Sequence, residues 1–197
     1  MCDAVLFYTS SMEKKNAQDI FSSLRVIRGS VSGMRHWILA TIHRAENTDT
    51  PEKLREILKA FEAFPVPVLF PAHPRVREVA VKLSEEEGFR NTVLVEPVGY
   101  LEMLFFTKYA DKVVTDSGGL QKEAYILRTP CVTVREQTEW VETLGGNLNI
   151  LSRPIAADIV QKTVETQVNE EAYRPYYGNG DAGDRIVEIV SNGGRIK

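Results

Sequence analysis

The chain has 197 residues, of which 43% are hydrophobic and 26% charged, and its net charge is −3. This length and apolar content suffice for a globular domain with a core of its own. The sequence has no basic run of the kind that binds nucleic acid, and no apolar stretch near the roughly 20 residues that span a bilayer, so we expect neither nucleic acid nor membrane as a partner.

The first 33 residues are predicted to form a helix followed by a loop. Residues 3–18 show an apolar and a charged side at helical spacing, the apolar side formed by Val5, Leu6 and Tyr8 and the charged side by Glu13, Lys14 and Lys15. Glycine and serine mark residues 22–33 as a loop. Because Met1–Ser11 has no basic leader and carries Asp3, we expect no signal peptide, and a cytoplasmic protein.

From residue 36 onward, short apolar segments alternate with segments of helical periodicity. Strands are predicted at 36–42, 66–71, 92–95, 112–115, 130–134 and 148–151. Helices are predicted at 51–64, 76–87, 100–109, 119–127, 156–168 and 183–191, with a short helical turn at 139–143. This alternation is typical of βαβ units with a parallel sheet, and strands that are apolar on both faces indicate helices on both sides. The fold class is therefore α/β, a doubly wound parallel sheet.

Ligands of doubly wound sheets bind outside the carboxyl ends of the strands. In this sequence the segments that follow the first five predicted strands are rich in polar and charged residues, whereas the opposite connections are plainer. These segments are His43–Asn47, His73–Arg75, Glu96–Pro97, Ser117–Gly119 and Arg135–Glu139. One edge of the sheet is therefore predicted to carry a site.

Ser117, Gly118 and Gly119 connect a predicted strand to a predicted helix. Such a turn presents unpaired backbone N–H groups at the positive end of a helix, which favours an anion and especially phosphate. Glu123 follows one turn later and is placed to reach hydroxyl groups of a molecule that carries the phosphate. The alternative is an ordinary helix start with Ser117 as the capping residue.

The sequence predicts a different role for each of the three histidines. His43, next to Arg44 and Glu46, is interpreted as a phosphate contact or proton carrier, against the alternative of a loop-capping residue. His73 precedes Pro74, so a structural role is as well supported as a ligand contact. His36 begins a strand, away from the polar edge, and is predicted to be structural.

Several common sites are not predicted. The histidines and the two cysteines show no metal-ligand spacing, so we expect no metal and no cofactor. There is no GxxxxGK[ST] motif for a nucleotidase and no GxGxxG motif after the first long strand for a nicotinamide dehydrogenase. Cys131 lies in an apolar run and is interpreted as a small buried side chain.

Five motifs, in order, resemble the non-hydrolysing UDP-N-acetylglucosamine 2-epimerases. They are TIHRAEN at 41–47, HPR at 73–75, EPVGYL at 96–101, TDSGGLQKEA at 115–124 and PCVTVREQTEWVE at 130–142. The resemblance implies a Rossmann-like lobe of a two-lobe, glycosyltransferase-B-like architecture with a UDP-sugar in the cleft. It also implies interconversion of UDP-GlcNAc and UDP-ManNAc, by elimination and re-addition of UDP, for surface polysaccharides.

The resemblance also assigns roles to residues. It implies that the diphosphate binds to Ser117, Gly118 and Gly119, the ribose hydroxyls to Glu123 and the uracil to the Val98 backbone, with Met103 at the base-stacking position. It assigns a catalytic role to His43 and places Arg135 and Glu139 in the active-site loop. Arg44 and His73 match positions that contact a second, regulatory UDP-GlcNAc. Some members have arginine where this chain has Trp140.

The family is nearly twice as long as this chain, which resembles the C-terminal lobe (34–197) preceded by an inter-lobe helix and connecting loop (1–33). The first lobe, which supplies acidic residues for the proton at C2 of the sugar, has no counterpart here. Two alternatives follow: a UDP or UDP-sugar binding lobe without turnover, or a lobe of a hydrolysing epimerase or related glycosyltransferase. The full-length family tends to form homodimers.

Overall fold

A computed structural model describes residues 1–12 and 17–192 of the chain. Its centre is a seven-stranded sheet formed by β1 (Val26–Arg28), β2 (Ile38–Thr41), β3 (Val68–Pro71), β4 (Thr92–Val95), β5 (Lys112–Thr115), β6 (Cys131–Val134) and β7 (Asn149–Ser152). The helices are α1 (Cys2–Ser10), α2 (Ala17–Ser23), α3 (Ala45–Thr48), α4 (Pro51–Glu62), α5 (Pro74–Glu86), α6 (Tyr100–Tyr109), α7 (Gly118–Ile126), α8 (Ala156–Glu165) and α9 (Ala182–Ser191), with a 3-10 helix at Val141–Asn147.

The strands lie in the order β1-β4-β3-β2-β5-β6-β7. The six strands from β2 to β7 are parallel, and the order reverses between β2 and β5, where Ile38 pairs with Lys112 and Thr41 with Thr115. This is the strand order of a Rossmann-like doubly wound fold, so the predicted fold class is confirmed. The reversal between β2 and β5 is the switch point at which such sheets bind ligands.

Apolar side chains of each central strand alternate between two cores, one on each face of the sheet. On one face, Ile38 and Ala40 of β2 pack in the core formed with α4, α5 and α8. On the other face, Leu39 packs with Trp37 and with side chains of α2, α6 and α7. Because both faces are covered, the strands contain apolar residues at consecutive positions, which explains the runs seen in the sequence.

Two features of the amino-terminal segment differ from the prediction. Residues 22–33 were expected to be a loop, yet β1 lies there and pairs antiparallel with β4 at the edge of the sheet. A three-residue edge strand shows no readable alternation, and its partner 66 or more residues away decides its conformation. The boundary between segments 1–33 and 34–197 stays a prediction, although β1 joins the sheet of the second segment.

The helix predicted at residues 3–18 is also wrong in extent, because α1 ends at Ser10. Its buried side is formed by Cys2, Val5 and Thr9, whereas Leu6 and Tyr8, which were assigned to the apolar side, are exposed. The charged side predicted at 13–15 lies outside the described residues.

The remaining elements agree with the prediction to within a few residues, with four exceptions. Neither α2 nor the four-residue α3 was predicted, the predicted turn at 139–143 is a 3-10 helix at Val141–Asn147, and α8 ends at Glu165. His36 lies at the amino-terminal edge of the sheet, where its Nδ1 is 3.1 Å from Asp111 Oδ1. This contact agrees with the structural role predicted for His36.

Candidate functional site

A cleft of about 360 Å³ opens at the switch point of the sheet, at the carboxyl ends of β2, β3 and β5. It is formed where the connections after these strands diverge, together with the start of α6. Its lining residues are Thr41, His43, Pro71, His73, Pro97, Val98, Met103, Ser117, Gly119, Leu120 and Glu123. Seven of the predicted site residues therefore meet in one cavity, although they are spread over some 80 positions of the sequence.

The wall of the cleft on the β5 side is the first turn of α7. Ser117 is the N-cap, and its Oγ accepts a 3.4 Å hydrogen bond from the Leu120 N–H. A Cβ atom added to Gly119 would meet only Ser117 Oγ, at 3.7 Å, so the backbone there is open to a ligand. The capping role and the anion-binding role, which were alternatives in the sequence, are thus compatible in the structure.

Gly118 lines the other side of this turn, against Trp140. A Cβ atom at Gly118 would lie 2.7 Å from the Trp140 Nε1 atom, so only glycine leaves room for the indole. The Lys122 ammonium lies 3.5 Å above the centre of the same ring, a cation–π contact. Gly118 therefore serves the packing of Trp140, whereas Gly119 faces the cleft.

Glu123 is the acidic group of the cleft and is 9% exposed. Burial raises the pKa of its carboxyl group, and the hydrogen bond to the Tyr100 hydroxyl and the nearby Lys122 charge partly oppose that rise. It lies one turn after the glycines on α7, and helical side chains lean toward the helix N-terminus, which directs its carboxylate toward the first turn. Tyr100 is a neighbour of this carboxylate that sequence reasoning missed.

His43 and His73 are neighbours in the cleft, with ring centres 5.7 Å apart and planes inclined by 30°. His73 is also the N-cap of α5, since its Nδ1 accepts a 3.2 Å hydrogen bond from the Arg75 N–H. The structural and ligand-facing roles that the sequence left open for His73 are therefore both compatible with its position.

Asp116 is the buried polar residue behind the cleft, and its side chain is 0% exposed. Its carboxylate accepts hydrogen bonds from the backbone N–H groups of His43 and Arg44 and from the Asn47 side chain, at 2.9–3.1 Å. The sequence analysis assigned no role to Asp116 or Asn47. Each is a polar residue beside a predicted turn, which is only a weak signal in the sequence. The two residues lie about 70 positions apart, so the sequence does not indicate that they are partners.

Arg44, Arg135 and Glu139 are placed beside the cleft and do not line it. The Arg135 guanidinium, 7% exposed, binds both oxygens of Glu139 at 2.7 and 2.9 Å, and its Nε lies 3.4 Å from Glu46 Oε1. The hydrogen bonds and the positive charge of Arg135 lower the pKa of the Glu139 carboxyl to about 2. Arg135 lines a second cavity of about 510 Å³, on the other side of α3.

The segment between β6 and the 3-10 helix is held by a buried hydrogen-bond network. Gln121, which is fully buried on α7, accepts from the Thr138 hydroxyl at 2.8 Å and donates to Thr143 Oγ1 at 2.7 Å. Thr143 also accepts from Asn149 Nδ2 at 3.0 Å and donates to the Trp140 carbonyl at 2.7 Å. These bonds fix Trp140 and Glu139 relative to the first turn of α7.

Residues 1–12 and 17–192 contain no group of three or more histidine, cysteine or acidic side chains placed to hold a metal ion. Nor does any helix among them combine the length and apolarity needed to cross a bilayer. Cys131 is buried, as predicted, and burial raises the pKa of its thiol to about 12, so it is not a nucleophile.

Comparison with known proteins gives one consistent family. A family model described as UDP-N-acetylglucosamine 2-epimerase matches residues 1–191. A protein of Methanococcus maripaludis, named UDP-N-acetylglucosamine 2-epimerase homolog, is 40% identical over 195 residues, which are 98% of this chain and 53% of the relative. A Pseudomonas aeruginosa protein, named UDP-2,3-diacetamido-2,3-dideoxy-D-glucuronate 2-epimerase, is 41% identical over 161 residues, or 79% of this chain and 44% of the relative.

The solved structures agree. The UDP-GlcNAc 2-epimerase of Methanocaldococcus jannaschii, in complex with UDP-GlcNAc and UDP, superposes with a TM-score of 0.76 at 31% identity, covering 97% of this chain and 52% of that structure. The chain thus spans about half the length of the relatives that it matches.

Proposed function

Because the chain belongs to the UDP-N-acetylglucosamine 2-epimerase family, we propose that it supplies the nucleotide-diphosphate half of the active site of such an epimerase. The reaction would convert UDP-GlcNAc to UDP-ManNAc by eliminating UDP and adding it back on the other face of the sugar. The observation that carries this proposal is the open first turn of α7 at the switch point of the sheet.

The cleft suits a uridine diphosphate. The backbone N–H groups at Gly118 and Gly119 point to where a diphosphate would lie, and the positive end of α7 favours its charge. Glu123 would accept hydrogen bonds from the ribose hydroxyls, while Val98 and Met103 supply the partly buried surface for the uracil. His43 and His73 would face the phosphate from the opposite wall.

The half-site role fits the chemistry of elimination. Cleavage of the bond between C1 of the sugar and the diphosphate oxygen becomes easier when the leaving diphosphate is stabilised by aligned N–H donors and a nearby histidine. Removal of the proton at C2 needs a base, which we place in the half of the relatives' length that this chain does not match. Arg135 and Glu139 would border the sugar from the β6 side.

A second candidate is a lobe that binds UDP or a UDP-sugar without turnover. The names of the two relatives share the UDP group and differ in the sugar, so UDP is the part of the ligand that the proposal assigns to this cleft. A lobe of a hydrolysing epimerase or related glycosyltransferase remains a third reading.

Calorimetric titration of the chain with UDP, uridine and inorganic phosphate tests the binding site. We expect UDP to bind, and uridine and phosphate each to bind far more weakly, because UDP alone contacts both the nucleoside end and the diphosphate end of the cleft. Absence of UDP binding would contradict the proposed site. A parallel assay of UDP-GlcNAc epimerisation tests the assignment of the base: turnover by this chain alone would show that no base is missing, whereas binding without turnover agrees with both of the first two candidates.

A further inference from the structure

The two histidines of the cleft have different partners at the same ring atom. His43 Nδ1 lies 3.4 Å from Asp116 Oδ1, whereas His73 Nδ1 accepts a hydrogen bond from the Arg75 N–H. A neutral imidazole carries its proton on one nitrogen and a lone pair on the other, and the partner of one nitrogen decides which form is present. The surroundings therefore favour opposite forms of the two rings.

The Asp116 contact disfavours a lone pair at His43 Nδ1. A carboxylate oxygen has no proton to give, so a lone pair facing it at 3.4 Å would be repelled, whereas an N–H would be attracted. Asp116 has little freedom to turn away, because its oxygens are fixed by the His43 and Arg44 backbone and by the Asn47 amide. The carboxylate thus fixes the position of the His43 loop and its protonation form together.

We propose that Asp116 is a positioning residue that holds His43 in the Nδ1–H form, while His73 is held in the opposite, Nε2–H form. His43 then directs the lone pair of Nε2 away from Asp116, and His73 retains an Nε2–H. Two rings with centres 5.7 Å apart and planes inclined by 30° thereby offer one acceptor and one donor to the same ligand. With a second proton, His43 is a donor at Nε2 as well.

The consequence for a ligand rests on the proposed function. A leaving diphosphate gains negative charge on the oxygen that separates from the sugar, and a charged His43 can donate its Nε2 proton to that oxygen. The electron pair of the broken C–O bond remains on the same oxygen, and His43 returns to the neutral Nδ1–H form. Asp116 takes no proton in this step, and its role is to orient the ring.

The protonation forms can be measured without any ligand. Long-range ¹H–¹⁵N spectra of ¹⁵N-histidine-labelled chain, recorded at about pH 9 where ordinary imidazoles are neutral, distinguish Nδ1–H from Nε2–H. The three signals are assigned with His36→Gln, His43→Gln and His73→Gln. We expect Nδ1–H for His43 and Nε2–H for His73. An Nε2–H form of His43 in the unmodified chain would overturn the proposal.

Asp116→Asn adds a directional test. Its amide oxygen is expected at the Oδ2 position, where the N–H groups of His43 and Arg44 and the Asn47 amide converge, which leaves its NH₂ facing His43 Nδ1. His43 should then switch to the Nε2–H form, and retention of Nδ1–H would overturn the assignment to Asp116. Circular dichroism checks the fold, and if the variant unfolds, the spectrum of the unmodified chain decides alone.

The sheet offers a matched control at its opposite edge. His36 Nδ1 faces Asp111 at 3.1 Å, away from the cleft, so His36 should also be Nδ1–H. Asp111→Asn should alter the His36 signal and leave that of His43 unchanged; a change in both would show that the His43 form reports fold and not Asp116. Because no ligand is added, failure of UDP to bind in the titration leaves this result untouched.

Discussion

At the scale of single residues, the two glycines of the α7 turn have different functions that the sequence does not separate. Gly118 leaves room for the Trp140 indole, whereas Gly119 faces open space in the cleft. The Ser-Gly-Gly pattern predicted a helix start, which the structure places beside the cleft, and the anion site there stays a prediction. The difference between the glycines depends on Trp140, which lies more than 20 positions later in the sequence.

Gly119→Val is expected to lower the affinity for UDP by roughly two orders of magnitude while the fold survives. The added methyl groups would occupy the cleft and remove two or more charge-assisted hydrogen bonds, at a cost of about 3 kcal/mol. Calorimetry measures the affinity. Gly183→Val is a matched control at the second position of α9, where a Cβ atom also meets nothing closer than 3.8 Å. Equal loss in both variants, or unchanged affinity in Gly119→Val, would contradict the diphosphate assignment.

Glu123→Gln is expected to weaken UDP binding and to stabilise the fold at neutral pH. Burial raises the pKa of Glu123, so the native state binds a proton more readily than the unfolded state, and the free energy of unfolding falls as pH rises through the window above pH 4.5. Removing the buried charge should recover about 0.5–2 kcal/mol at pH 7. Thermal unfolding at pH 4 and pH 7 measures this gain, which should shrink at the lower pH; a gain that is equal at both would contradict it.

At the scale of elements, the polar network under the connection after β6 determines where the segment with Arg135 and Glu139 lies. Short apolar runs such as Cys131–Val134 predicted the strand itself. Gln121, Thr143 and Asn149 could not be predicted as partners, because each is an ordinary polar residue in the sequence and they are brought together by α7, the 3-10 helix and β7. Helices and strands follow from local pattern, whereas buried polar contacts between elements follow from the completed fold.

Thr143→Val is expected to destabilise the chain by about 2 kcal/mol or more. The change keeps the volume but leaves the Gln121 and Asn149 amide N–H groups without their buried acceptor. Urea unfolding measures the loss. Thr163→Val is the control: its buried hydroxyl donates only to the Ile159 carbonyl of the same helix, so its loss should cost under about 1 kcal/mol. Similar losses in the two variants would show that the network carries no special stability.

At the scale of the whole molecule, the alternation of elements predicted the doubly wound sheet, and polar connections on one edge predicted where the cleft opens. The edge strand β1 was missed for a physical reason: three residues, pairing antiparallel with β4, carry no periodic signal of their own. The rest of the topology was predictable because parallel strands covered on both faces must be apolar throughout, and because right-handed crossovers leave few alternative strand orders.

The apolar side of α9 has a consequence for the behaviour of the chain in solution. No side chain of α9 is buried, and Ile186, Val187 and Val190 are 60%, 64% and 71% exposed. Ile186 and Val190 lie one turn apart and Val187 adjoins them, so they form one apolar stripe, and α9 is tied to α1 through the Gly183 N–H and the Asp3 carboxylate. Exposed stripes of this kind promote association in water.

We therefore expect two copies of the chain to associate through α9 at micromolar to millimolar concentration, and the double change Val187→Lys and Val190→Lys to shift the population to monomer. Sedimentation velocity measures the distribution. Stability should change by no more than about 0.5 kcal/mol, because neither valine is buried. Glu188→Lys, on the opposite side of α9, changes the net charge by the same two units and is the matched control. If the unmodified chain is monomeric, the prediction is contradicted. If Glu188→Lys shifts the population to monomer as much as the double change does, the effect is due to net charge instead of the apolar stripe.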